Sequence, residues 1–352
     1  MKILLLGEYS ALHKNLKEGL QVLGHDVTTV ASSDGFKKIH ADISLDPRMP
    51  SIFGRVERTL RHLRALNWIE NYDVVQVINP FIFRPFGFLN KFYKIIRENN
   101  GRLYFLAAGD DSYFWRYGRM ALRYGPFDDA LKYDLKMAHS IFERDRIFEI
   151  NKEIIEGSDG IIPVMYEYEV SYNNSNKKKN TIPLPVNAAS ISYQNNIATG
   201  KLVVFHGLNR YGFKGTRHVE EAFDVLRKKY PNDLELIIEG KMPLNEYLSL
   251  MNRSNIVIDQ TNSYSMGMNG VYAMAMGKVV MGGAEPESLV SLGVEESPAI
   301  NILPNYNSIV QQIECLLDSC NNVQDIGYQS RLFVENVHDN VKIAEKYISV
   351  WT

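Results

Sequence analysis

Two glycine-rich loops carry the residues best suited to chemistry. The first follows the apolar run Leu202-Val203-Val204-Phe205 and reads His206-Gly207-Leu208-Asn209-Arg210-Tyr211-Gly212-Phe213-Lys214-Gly215. Arg210 offers a planar fork of donors and Lys214 a compact point charge. Gly215 precedes a helical stretch at 216–229, whose first amides and dipole favour an anion. The second loop follows Ile256-Val257-Ile258-Asp259-Gln260 and reads Met266-Gly267-Met268-Asn269-Gly270, entering a helix at 269–276. Gly267 and Gly270 let a ligand approach backbone amides at another helix N-terminus. Fixed cations between two such termini suit a diphosphate. If a nucleoside diphosphate leaves, its charge grows in the transition state, and preset cations stabilise that growth selectively. The bland alternatives are solvated loop cations, an Asp259 that caps the next turn, and an Ala273-Met274-Ala275-Met276 run that simply packs on a sheet.

A third cluster is Gly109-Asp110-Asp111-Ser112-Tyr113-Phe114-Trp115-Arg116, after the strand-like run 102–107. Aromatics for an apolar sugar face and carboxylates for its hydroxyls suit a sugar. The competing reading makes Asp110 or Asp111 the N-cap of a following helix.

These loops need rigid supports. Apolar runs at 2–6, 26–31, 73–79, 102–107 and 159–164 alternate with helical stripes at 12–23, 86–98 and 140–157. A second alternation has strands at 202–206, 234–239, 255–259 and 278–281, with helices at 216–229, 244–251, 269–276 and 306–319. Strands alternating with helices predict parallel sheets, whose carboxyl edges bind ligands. The expected fold is α/β, with two Rossmann-like doubly wound domains and a cleft between them. Residues 1–190 form one domain and 200–335 the other, and a helix at 337–352 packs back on the first. The first turn, Gly7-Glu8-Tyr9-Ser10-Ala11-Leu12, is not the GxGxxG of dinucleotide binders, which argues against a dehydrogenase.

At 352 residues the chain is long for a single core. A formal charge of −2 gives no strong field for nucleic acid. A small basic excess in residues 1–192, with Arg55, Arg58, Arg61, His62 and Arg64 on one helical stretch, fits contact with an anionic membrane surface or a solvated face. Two cysteines, Cys315 and Cys320, fit a reducing compartment. The apolar start, 1–7, is too short for a signal segment, and no run reaches the ~20 apolar residues of a span. A cytoplasmic protein is expected.

On these stretches the chain resembles GT-B glycosyltransferases of the family 4 or "group 1" type, which build bacterial surface polysaccharides. The resemblance rests on the opening strand, Gly7 and Gly24-His25-Asp26-Val27, on Lys214-Gly215, and on Ala273-Met274-Ala275-Met276-Gly277-Lys278-Val279-Val280. It implies a nucleotide diphosphate sugar donor (a UDP- or GDP-sugar), a glycan or lipid-linked acceptor, retention at the anomeric carbon, and no metal or other cofactor. The basic N-terminal half adds peripheral contact with the cytoplasmic face of the inner membrane as an option. Lys214 and Arg210 would hold the diphosphate, and Asp110 would meet the sugar or acceptor. Gly7 would form the wall beneath it. His206, Gly207, Gly215, Glu239, Gly240, Tyr264, Gly267, Met268, Asn269 and Tyr272 would line the donor side. Two departures stand out. The family's paired glutamates fall on Tyr264 and Tyr272, and its loop arginine falls on Leu208, with Arg210 two residues later. No family histidine has a clear match; His13 and His139 are the remaining candidates, each also readable as a packing residue. A catalytically silent GT-B subunit that binds or activates a partner is the alternative, and a sugar-nucleotide epimerase comes third.

Overall fold

The computed structural model describes residues 1–32, 39–46, 68–83, 86–135, 140–240, 244–320 and 322–352, with Glu57, Leu60, Arg61, Arg64, Ala65 and Met242 between them. Arg55, Arg58, His62 and His139 lie outside the described residues.

Two all-parallel sheets form the frame. The first has six strands in the order β3-β2-β1-β4-β5-β6. These are β1 (Lys2–Leu6), β2 (Asp26–Ala31), β3 (Ile43–Ser44), β4 (Val74–Val77), β5 (Arg102–Ala107) and β6 (Gly160–Pro163). The second has five in the order β11-β10-β9-β7-β8. These are β7 (Leu202–Leu208), β8 (Leu234–Gly240), β9 (Ile256–Ile258), β10 (Val279–Gly282) and β11 (Ile300–Asn301). The strands are apolar almost without interruption because helices cover both faces of each sheet. Ile3, Leu4, Leu5 and Leu6 are fully buried, as are Ile256, Val257 and Ile258. Strand order reverses beside β1 in one sheet and beside β7 and β9 in the other. Crevices open at such reversals, at the carboxyl ends of the strands.

Among the described residues the predicted strands and helices are present, with the start of 140–157 as the 3-10 turn Ile141–Glu143 before the helix Asp145–Glu156; the helical stretch at 55–64 lies largely outside them. The structure adds β3 and β11, the helices Pro286–Leu292 and Asn322–Phe333, and π-helical turns at Phe114–Gly118 and Ala130–Asp134. The last helix, Asn340–Trp351, lies against Leu12–Val22 of the first sheet's layer. Ile343, Tyr347 and Trp351 are buried there. Tyr104 on β5 donates its hydroxyl proton to the Val350 carbonyl at 3.0 Å. Burial of such side chains contributes about 2 kcal/mol each in favour of this docking. Gly19 permits the approach: a Cβ there would lie 2.1 Å from the Asn340 carbonyl oxygen.

Candidate functional site

The site lies where the carboxyl end of β7 faces the carboxyl end of β5. Beyond Leu208 the chain makes one short helical turn, Tyr211–Lys214, and Gly215 reverses it in the left-handed region at φ 68°. The helix Thr216–Lys229 then begins. Gly212 touches the other domain so closely that a Cβ would sit 2.0 Å from the Asp129 carbonyl oxygen.

The two predicted cations each meet a carboxylate. Arg210 pairs with Asp110 across the domain boundary at 3.1 Å and covers the Phe213 ring, 4.1 Å from its centre. Asp110 is held from behind by the Trp115 indole N–H at 3.1 Å. Lys214 pairs with Asp259 at 3.3 Å. Asp259 is 1% exposed and also accepts the Gly267 N–H at 2.8 Å and the Asn269 amide at 3.4 Å. It therefore occupies the N-terminal end of the helix Met268–Ala275. A third carboxylate, Asp134, accepts the Gly212 and Phe213 N–H groups at 3.1 and 2.7 Å. Alongside, Asp129 accepts from Arg217 at 2.9 Å and from Asn262 at 3.1 Å.

The acidic pair of the aromatic cluster divides its labour. Asp111 is the cap: its carboxylate accepts the Phe114 N–H at 2.8 Å and the Tyr172 hydroxyl at 2.7 Å. Full burial pushes its pKa up to about 6. Asp110 faces the cleft instead.

His206 is fully buried and has both ring nitrogens engaged, with the Ile258 carbonyl at 2.9 Å and the Thr216 hydroxyl at 3.0 Å. Burial, with the Lys214 charge, lowers its pKa to about 4. It stays neutral and ties β7 to β9 and to the following helix. Gly207 lies against Tyr247, and Gly240 against the Leu208 carbonyl. Glu239 is exposed at the end of β8. Gly7 leaves β1 at φ 83°, where a Cβ would meet Ile78 at 2.4 Å. His13 is buried beneath it, its Nδ1 2.7 Å from the Gly7 carbonyl.

The two tyrosines are committed across the domain boundary. The Tyr264 hydroxyl accepts the Arg123 backbone N–H at 2.9 Å and the Arg123 Nε–H at 3.1 Å, and its ring stacks on Tyr124 with centres 4.7 Å apart. Arg123 and Tyr124 both reach Glu285, each at 2.8 Å. Glu167 adds to this junction by accepting the N–H groups of Tyr264 and Ser265 at 2.7 and 2.9 Å. The Tyr272 hydroxyl accepts the Asn15 amide at 2.7 Å, and burial raises its pKa. Met268 is buried, at the start of its helix.

Among the described residues no group of three His, Cys, Asp or Glu side chains is placed to hold a metal ion. No described helix is long and apolar enough to cross a membrane. Arg61 of the basic stretch pairs with Glu57 on its own turn at 2.8 Å.

Sequence reasoning missed Asp134, Asp129, Arg123, Glu167 and Glu285. Their partners lie 78 residues or more away, so no local pattern marks them. Asp259 was visible as a strand-end carboxylate.

No family model and no curated protein matches the sequence. Solved structures do match the fold. A sucrose-phosphate synthase from Thermosynechococcus elongatus aligns over 100% of this chain and 98% of its own, at 14% identity and TM-score 0.65. Anabaena HepE, solved with UDP and glucose, aligns over 99% and 98%, at 12% identity and TM-score 0.65. A UDP-GlcNAc 2-epimerase from Neisseria meningitidis, bound to UDP-GlcNAc, aligns over 99% of both chains at 13% identity and TM-score 0.54. The chain has the GT-B fold: two Rossmann-like domains, each on a parallel sheet.

Proposed function

We propose that this protein is a glycosyltransferase. It moves a sugar from a nucleotide diphosphate donor to a glycan or lipid-linked acceptor, with retention and without a metal. The observation that carries this reading is the placement of Arg210 and Lys214 on the β7 loop, beside the N-terminus of Met268–Ala275 and opposite Asp110. The second sheet, over residues 200–335, would take the donor. Residues 1–190, with the final helix, would take the acceptor. UDP is the first nucleotide to test, because HepE was solved with UDP and UDP-glucose. In this scheme the two cations stabilise the leaving diphosphate, and Asp110 meets the transferred sugar or the incoming hydroxyl. A place at the cytoplasmic face of the inner membrane, in surface polysaccharide assembly, fits this chemistry.

One observation favours a catalytically silent subunit instead. Tyr264 and Tyr272 stand where the family resemblance calls for carboxylates, and both hydroxyls accept interdomain bonds. The epimerase among the structural matches makes the same point about chemistry: the fold alone selects no single reaction.

Thermal melting with UDP, GDP, ADP and CMP tests the donor site. A nucleotide held at ~100 times its Kd adds about 2.7 kcal/mol of stability. Lack of any shift at millimolar nucleoside diphosphate would remove the donor-site reading.

A further inference from the structure

We propose that Asp110 and Asp134 form an internal gate, in which the first domain's own carboxylates occupy the anion-binding groups of the second until a diphosphate displaces them. This rests on the donor-site reading above and adds how that site is controlled.

Arg210, Lys214 and two successive amides of the β7 loop already have carboxylates on them. Asp110 is on the Arg210 guanidinium at 3.1 Å. Asp134 takes two successive amides, Gly212 and Phe213, as a phosphate oxygen would. Asp259 is on the Lys214 ammonium and on the Gly267 N–H. Two cations therefore face three carboxylates. An incoming diphosphate meets a neighbourhood with excess negative charge, in which both cations are already paired.

The three carboxylates are not equivalent. Asp259 belongs to the same sheet as Lys214, so it moves with the site. Asp110 follows β5, and Asp134 lies on the turn Ala130–Asp134; both come from the opposite domain. A small separation of the domains at this point frees Arg210 and the two amides together. Gly212, pressed on the Asp129 carbonyl, marks how tightly the contact is shut. A diphosphate binds only the separated arrangement, so its apparent affinity falls by the fraction of molecules that are closed.

The experiment titrates UDP and inorganic pyrophosphate into the wild type, Asp110→Asn, Asp134→Asn and the double variant, at one ionic strength. Asparagine keeps an acceptor oxygen and the shape while removing the charge. The gate predicts that each single variant binds about tenfold more tightly, equal to about 1.4 kcal/mol, and the double variant more tightly still. Measurable binding with the same Kd in all four proteins overturns the gate and leaves the donor site standing. Absence of binding in all four removes the donor-site reading, and the gate with it. X-ray scattering on the wild type needs no variant. The gate predicts a radius of gyration at saturating pyrophosphate no smaller than that of the free protein, and a smaller radius, meaning closure on the ligand, contradicts it.

Discussion

Replacing Lys214 with Met removes one charge and keeps most of the side-chain stem. The structure makes its effect calculable. Lys214 is the only cation on Asp259 among the described contacts, and the carboxylate is almost wholly buried at 1% exposure. Removing one partner of a buried pair costs about 3–5 kcal/mol, because the remaining charge is left uncompensated. Asp259 retains the Gly267 N–H at 2.8 Å and a long contact with Asn269, which brings the expected loss to about 2–3 kcal/mol. In a chain of two domains this corresponds to a fall in melting temperature of about 5–10 °C. The double variant Lys214→Met/Asp259→Asn has no stranded charge and should return to within about 1 kcal/mol of the wild type. Urea denaturation of the four proteins of this cycle measures the coupling directly. A single variant within about 0.5 kcal/mol of the wild type, or a double variant no better than the single, would refute the buried pair. The same Lys214→Met protein should bind UDP about 10- to 100-fold more weakly.

Other outcomes follow from the same geometry. Tyr272→Phe strands the Asn15 amide proton and should cost about 1 kcal/mol by denaturant melting, while Tyr264→Phe, which strands a backbone N–H, should cost about 1–3 kcal/mol. Gly7→Ala puts a Cβ on Ile78 at a positive φ and should cost more than about 1 kcal/mol, seen as a lower melting temperature. Burial lowers the pKa of His13, His206 and His338 to about 4 each. Unfolding therefore takes up protons between pH 4 and 6.5, and these histidines remove stability as pH falls through that window. Asp111 acts in the opposite sense: its folded pKa of about 6 gives stability that is full below its unfolded pKa and lost as pH rises to 6. His338→Gln should make the wild-type rise in stability with pH shallower, and Asp111→Asn should make it steeper; unfolding measured from pH 4 to 7 checks both signs.

Much of the frame was legible because parallel strands covered on both faces are unbroken apolar runs, as in Ile3–Leu6 and Ile256–Ile258. The strands β3 and β11 have two residues each, too short to show a period. The π-helical turns at Phe114–Gly118 and Ala130–Asp134 carry no 3.6-residue stripe, so Asp134 was lost with its turn. Arg210 and Lys214 stood out as candidates because cations beside glycine at a strand end have a local signature. Their carboxylate partners could not be matched to them, because pairing across a domain boundary depends on docking. The division between Asp110 and Asp111 likewise needed the positions of Tyr172 and Trp115. The tyrosines at 264 and 272 were visible as departures from the family pattern, but their roles as interdomain bonds were not.

Donor turnover without acceptor tests the central claim most directly. UDP-glucose and GDP-mannose are incubated with the protein for hours, and release of nucleoside diphosphate is followed. The account predicts slow release from at least one donor, lost in Arg210→Gln and Lys214→Met. Tight binding of UDP or GDP with no release from either donor would contradict transferase activity and leave a subunit that binds nucleotide without using it.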